Sequence, residues 1–447
     1  LMCGVVQADV SVPTMFSDHA VLQRNMPVPI WGTASPYEQV TVDFGTKSKT
    51  TKASGSGDWM IFLDPMPASS SPSIMKITGN NVITIWDVQV GEVWIGSGQS
   101  NMQRPLSDDC DAASAIADAG NNNMRFFNVT ANGGNVGSTV WQVSDANSAP
   151  AMSAVHFFFG RHLAKEMTDV PIGLITSAVS ATAIEKWATC AGSGGLYTSQ
   201  IVPLQPYGIK GVTWYQGEWD SRSAKDAEKY YWQMPCLIDE WRTDWGQDIL
   251  DFPFYIVQMP KMGISAIHFV RDAELQTALS DPKVEMIVTI DIEGHDVHPP
   301  CKKEFGFRLA LLALEFEYDL ISDARSPFYN AAASYVTGGK IGVVFDDVAE
   351  GLKCYHAASD WECESFELAE WEIAGSDGNY VAAEAVIKST DTVEVWSPEV
   401  PNPVSARYAF STNPAANNLI NSAGLPASPI KEITPESGGP VCGDGTC

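Results

Sequence analysis

The sequence predicts an α/β fold, with a three-layer α/β domain in the middle of the chain and β-sandwich-like domains at its two ends. Three observations carry this expectation. Residues 9–88 and 325–437 contain short strand-like runs separated by turn-rich stretches. Residues 89–324 alternate apolar strand-like runs with helical stretches. The residues suited to chemistry follow the central strands, where α/β sheets place their ligands.

Residues 1–8, Leu1-Met2-Cys3-Gly4-Val5-Val6-Gln7-Ala8, look like the end of a signal peptide's apolar region, closed by a small residue. In the N-terminal β domain the first run is Pro27–Trp31, whose prolines suit an edge strand. Val40–Phe44, Trp59–Leu63 and Val82–Trp86 follow, separated by the polar turns Ser54–Asp58 and Ser69–Pro72. In the central domain Val93–Gly96, Ile172–Ile175, Ile209–Trp214 and Val284–Ile290 read as buried strands. Ala151–Met167, Ser223–Arg242 and Lys302–Phe316 read as helices between them. Such alternation implies a parallel sheet with helices on both faces. Lys340–Phe345, Ser365–Leu368 and Thr392–Trp396 return to strands, and 438–447 form a cysteine-containing tail. Trp31, Trp59, Trp86 and Trp396 fall on predicted strands and are expected in the core.

The charge balance is acidic, with 54 acids against 27 bases and a formal net charge of -27. Such a surface repels nucleic acid and anionic membranes, so neither is an expected partner. The acids are spread along the chain, as on a solvated extracellular surface. No apolar run is long enough for a membrane-spanning helix.

Nine cysteines are many for a reducing compartment, and none has the two-residue spacing of a zinc site, so no metal is expected. Loss of Cys3 with the leader leaves eight, an even number suited to disulfides in a secreted protein. A retained Cys3 leaves a spare thiol for an intermolecular bond, and a homo-oligomer stays open. Cys354 with Cys363 and Cys442 with Cys447 are the nearest local pairs. Cys236 with Cys301 and Cys110 with Cys190 are the expectation for the rest. Asn128-Val129-Thr130 is a glycosylation sequon.

Ser100 follows the strand Val93–Ile95 in Gly96-Ser97-Gly98-Gln99-Ser100-Asn101-Met102. Glycines let the chain turn sharply there and present the hydroxyl at the sheet's edge. The same serine could simply cap a helix. A nucleophile needs a base, and His298 lies in Asp291-Ile292-Glu293-Gly294-His295-Asp296-Val297-His298-Pro299, after another strand. Asp296, Glu293 or Asp291 could orient its imidazole, although such a loop also suits a metal or a solvated surface. Gln216 and Glu218, in Trp214-Tyr215-Gln216-Gly217-Glu218, follow a third strand, where an amide can donate to a developing oxyanion.

Three segments in this order resemble the sialate O-acetylesterase family, within the SGNH hydrolases and akin to acetylxylan esterases. They are Gly91-Glu92-Val93-Trp94 with Ser97–Met102, Ile209–Glu218, and Asp296-Val297-His298-Pro299 with Arg308-Leu309-Ala310. Met15-Phe16-Ser17-Asp18 with Val21–Arg24 resembles the family's opening, and Pro401–Tyr408 with Asn421–Pro429 its close.

The resemblance implies a flavodoxin-like SGNH hydrolase domain and an esterase that removes acetyl groups from sialic acids or other glycans, without a cofactor. Ser100 would attack the acetyl carbonyl, His298 would act as base, and Asp296, with Asp291 in reserve, would support it. The oxyanion would be held by the Ser100 N–H, Gln216 and the Ser180-Ala181 loop. Apart from the resemblance, sugar faces pack on aromatic rings, so Trp187 and Trp219, beside these motifs, are candidates to line the substrate site, with Asn101 and Glu218 as further substrate-binding candidates. The family usually has Gly-Gly-Thr where this chain has Ser180-Ala181-Thr182, and a Cβ there is costly if the backbone is left-handed. That departure also supports a rival reading, a non-catalytic extracellular structural or glycan-binding protein on the same fold. An esterase for another acyl group is a third.

Overall fold

The computed structural model describes residues 9–121, 123–246, 252–292, 296–356, 361–362 and 368–435. The described chain opens with seven strands: β1 (Val21–Gln23), β2 (Val28–Thr33), β3 (Gln39–Phe44), β4 (Lys47–Lys52), β5 (Asp58–Leu63), β6 (Ser69–Thr78) and β7 (Val82–Gly98). β2 and β5 form an antiparallel pair of their own, which leaves Pro29 no central ladder to interrupt. β3 pairs with β4 and β6, and β6 pairs with the first half of β7.

β7 changes character along its length. Its first residues alternate, with Val82 and Trp86 exposed and Ile85 buried, and from Val88 onward every residue is buried. One half therefore has a solvent face, and the other is covered on both sides. The period of two places Trp86 on the wet face, 56% exposed, so the expected core position of Trp86 is corrected. Trp59 is buried as expected, and Trp31 and Trp396 are half-buried.

After β7 come α1 (Ser100–Gln103), α2 (Ala112–Ala117), β8 (Met124–Asn128), β9 (Gln142–Val143), α3 (Ala154–Glu166), β10 (Ile172–Ala178), β11 (Gly211–Tyr215) and α4 (Ala224–Trp245). β12 (Phe254–Val257), α5 (Ile267–Ser280), β13 (Val284–Ile287) and α6 (Lys303–Phe316) complete the α/β region. The C-terminal strands are β14 (Phe328–Thr337), β15 (Lys340–Asp346), β16 (Leu352–His356), β17 (Trp361–Glu362), β18 (Trp371–Ala374), β19 (Tyr380–Ala382), β20 (Glu384–Ile387), β21 (Thr392–Trp396), β22 (Ser405–Tyr408), β23 (Leu419–Asn421) and β24 (Ile430–Ile433). The strand expected over Ser365–Leu368 lies, apart from Leu368, outside the described residues.

The chain forms two compact units. The first comprises the described residues up to Gln216 with Pro235–Tyr255 and Pro300–Ala310. Its sheet has β7 between β10 and β11, all parallel, with β8 parallel to β10 and β9 antiparallel to β8. The Ser153 hydroxyl accepts from the His156 N–H and caps α3, which packs on the sheet with Gly160 against Leu174 of β10, Phe157 against Phe126 of β8 and Phe159 against Trp94 of β7. The second unit comprises Gly217–Met234, Ile256–Pro299 and the described residues from Leu311 onward. There α5 packs on β13, and the C-terminal strands form antiparallel sheets in the orders β14-β15-β21-β20, β17-β16-β23 and β19-β18-β22-β24.

The disulfides correct the expected pairing. Cys110 bonds Cys301 and Cys190 bonds Cys236, with Cα atoms 5.0 and 6.2 Å apart. Both bonds lie within the first unit, where the chain folds back so that sequence-distant segments meet. Cys354 is also disulfide-bonded. Cys363, Cys442, Cys447 and Cys3 lie outside the described residues. At the sequon, Asn128 is 8% exposed, and its side-chain amide donates to the Ala151 carbonyl.

Candidate active site

Three strands of the first unit end level with one another. Gly98 of β7 is in register with Ala178 of β10 and with Tyr215 of β11. The turn carrying Ser100, the loop 179–187 and Gln216 therefore leave the carboxyl edge of the sheet side by side. Gly98 has a φ of +136°, and a Cβ on it would lie 2.1 Å from the Tyr215 carbonyl oxygen. Only glycine allows this approach and turn. The Gln99 N–H then donates to Tyr215 O, the Val179 N–H donates to Gly98 O, and Ser100 opens α1 half-buried.

Gln216 is fully buried, and its Nε2 donates to Gln99 Oε1 at 3.1 Å and to Thr182 O at 2.9 Å. The amide thus links the Ser100 turn to the loop from β10. In that loop the Ser180 N–H and hydroxyl both donate to Gln103 Oε1, each at 2.6 Å. The Thr182 hydroxyl donates to Val179 O and accepts from the Trp187 indole N–H. Trp187, a candidate for lining the substrate site, is fully buried and edge-on to Trp214, so it stands behind the loop as support.

Ala181 has a φ of +57°, in the left-handed region that disfavours a Cβ. Ala181→Gly is therefore expected to stabilise the protein by about 1 kcal/mol. Urea unfolding measures this; an unchanged or lower midpoint would show that the loop carries no strain.

Asn101 is fully buried too. Its side-chain oxygen accepts from Lys302 Nζ at 2.5 Å. Lys302 is 1% exposed, and its backbone N–H donates to Asp109 Oδ2. Its side-chain nitrogen also lies 5.5 Å from the Tyr215 ring centroid and 5.1 Å from that of Phe305. Sequence reasoning missed this lysine, because a lysine at a helix start is ordinarily solvated. The one local signal is its neighbour Cys301, whose disulfide to Cys110 holds the segment beside the turn after Ser100.

The other candidates lie in the second unit. Asp296 is exposed, with its carboxylate accepting from the Val297 N–H at 2.6 Å, and His298 and Asp291 are half-buried. Glu293 and His295 lie outside the described residues. Glu218 is buried, at 3% exposure. A Cβ on the preceding Gly217 would lie 2.8 Å from Val270 Cγ1, so this turn sits tightly on α5. Trp219 is partly exposed, and the Arg222 guanidinium stacks 3.7 Å from its ring centroid.

Behind this turn, α5 carries a buried Arg271 and a buried Glu274. Arg271 donates to the carbonyls of Met259, Pro260, Ser411 and Thr412. Glu274 accepts from the Met259 N–H. Burial pushes the Glu274 carboxyl well above the usual range; the Met259 N–H and Arg271 oppose this, and nearby Glu218 adds to it. The folded state therefore holds this proton more tightly than the unfolded state does. Its contribution to stability is complete below the unfolded carboxyl pKa and is lost as pH rises toward the folded one. Glu274→Gln, which mimics the protonated form, is expected to raise stability at neutral pH and flatten its decline between acid and neutral pH. Parallel wild-type and variant stability curves across that range would contradict this.

His156 is excluded as a base. It is fully buried, its Nδ1 pairs with the Thr176 hydroxyl at 2.9 Å, and burial pushes its pKa down to about 3. Among the described residues the one cluster of metal-type side chains is Asp109, Cys110 and Asp111, and the Cys110 sulfur is committed to Cys301.

A family profile described as "Carbohydrate esterase, sialic acid-specific acetylesterase" matches residues 90–314. The sialate O-acetylesterase of Pongo abelii is 29% identical over 356 residues, spanning 65% of this chain and 67% of its own. That of Mus musculus is 27% identical over 380 residues, spanning 65% and 70%. The crystal structure of a carbohydrate acetylesterase from Xanthomonas citri superposes with a TM-score of 0.84 at 32% identity, covering 94% of this chain and 99% of that one. By profile, sequence and fold together, this chain belongs to the sialic acid-specific acetylesterase family of carbohydrate esterases, which are carboxylic-ester hydrolases.

Proposed function

We propose that this protein is a secreted serine esterase that removes O-acetyl groups from sialic acids or similar acetylated glycans, with Ser100 as nucleophile. The observation that carries the reading is the Ser100 turn itself. A glycine that must be glycine ends the central strand, and two neighbouring loops are bonded around the serine that follows. Ser100 attacks the acetyl carbonyl as His298 takes its proton; the sugar hydroxyl leaves with that proton, and water then releases acetate. Asp296 is the first choice to orient His298. His298 closely precedes Cys301 and Lys302, which are fastened to Cys110 and Asn101, and this supports its pairing with Ser100. The Ser100 N–H, Gln216 and the Ser180-Ala181 loop serve the oxyanion. Trp219 and Glu218 are the substrate-facing candidates, and Trp187 acts from behind the loop. The Cys110–Cys301 and Cys190–Cys236 disulfides support secretion.

One observation favours the rival, a glycan-binding protein without turnover. The Ser180 N–H is already occupied by Gln103, so the loop must shift before that donor can serve an oxyanion. Labelling by a fluorophosphonate separates the two readings. An active serine reacts covalently, with the adduct mapping to Ser100. Absence of any adduct overturns the esterase reading.

A further inference from the structure

We propose that a cavity between α3 and the start of α6, lined by no residue of the Ser100 turn, binds the carboxylate of an acidic sugar. The cavity measures about 340 Å³ and belongs wholly to the first unit. Arg161, Lys165 and Lys303 line it, with Phe158 and Phe307 as apolar wall. In a chain with twice as many acids as bases, three cations converge here. The lining acid, Glu304, accepts from Arg308.

Arg161 is the centre of the site. Its guanidinium is half-buried and lies 4.6 Å from the Phe158 ring centroid. Among the described residues it makes no hydrogen bond or ion pair, so its planar set of donors is unused. That fork matches a carboxylate in two-point contact, and such charge-assisted bonds are the strong ones. The flanking cations are loosely held. Lys165 lies 3.9 Å from Asp118 and Lys303 lies 3.5 Å from Asp111, both as exposed pairs that contribute little.

Charge and size narrow the ligand. Asp109, Asp111 and Asp118 act on Arg161 from nearby, so the surroundings favour a single negative charge over a polyanion. His162, edge-on to Phe307, is pushed below its ordinary pKa by burial and adds no charge at neutral pH. The volume is at the small end for ligand pockets, the scale of one sugar ring. The phenylalanines offer an apolar surface to a ring face. A sulfate ion shares the oxyanion chemistry but not the ring. The choice of a sugar rests on the proposed function; the oxyanion site does not.

Calorimetric titration of the full chain with sodium sulfate and with free sialic acid tests this. Both are expected to bind, and Arg161→Gln is expected to weaken both by about 10-fold or more. Hydrolysis of a neutral aryl acetate should be unchanged. Lys303→Gln, an exposed change, is expected to weaken both less and guards against a folding defect in the first variant. Identical isotherms for the wild type and both variants overturn the site. Sulfate binding that depends on Arg161, with sialic acid binding that does not, overturns the sugar assignment. Failure of the esterase reading would appear in fluorophosphonate labelling and would leave the sulfate isotherms unmoved.

Discussion

Ser100→Ala is expected to lower kcat for an acetylated sialic acid or acetylated xylan on the order of 10⁴-fold or more, while leaving the fold intact. The magnitude follows from the chemistry. Without the hydroxyl no acyl-enzyme forms, and what survives is the contribution of substrate binding and oxyanion donors to direct attack by water. The fold should survive because the turn is made by its neighbours. Gly98 supplies the turn, and the backbone bonds from Gln99 and Val179 do not involve the Ser100 side chain. Alanine also suits the first position of α1. The measurement pairs steady-state hydrolysis with thermal unfolding. Full turnover in a well-folded Ser100→Ala protein would remove Ser100 from the mechanism.

Lys302→Met carries the second large effect, on both stability and rate. Methionine keeps the apolar stem but leaves the buried Asn101 oxygen without its 2.5 Å donor. An unsatisfied buried acceptor costs about 1–3 kcal/mol. Asn101 follows the nucleophile directly, and a displacement of about 1 Å at a reacting group costs on the order of 100-fold in rate. A drop in kcat/KM of roughly 10–100-fold is expected, carried by kcat more than KM. Lys302→Gln, which restores a donor without the charge, should recover part of it. If Lys302→Met turns over like the wild type, the lysine has no part in holding Ser100, whatever its effect on unfolding.

The two predictions differ in how visible their residues are in the sequence. Ser100 is legible because its signal is local: an apolar strand, glycines at the turn, and a serine at once after it. Gln216 is legible for a similar reason, since it follows a strand-like run, and the same signal is what proposes His298 as the base. The helices over 154–166, 224–245 and 303–316 match their expected spans to within a few residues, because period and caps act over short distances. Lys302 carries no such signal. Its burial depends on Asn101, Asp109 and a disulfide whose partner lies 191 residues away.

The amino-acid pattern by itself determined the α/β class and the strands whose ends carry Ser100 and Gln216. Strand and helix periods and glycine's tolerance of positive φ are properties of short segments, so they can be read without knowing what packs against them. Tertiary structure alone decided that Cys110 bonds Cys301 and Cys190 bonds Cys236. It alone put Trp86 in solvent and Trp187 in the core, and it twisted Ala181 into a left-handed turn. Each of these depends on which distant segment lies opposite, and local propensity holds no information about that.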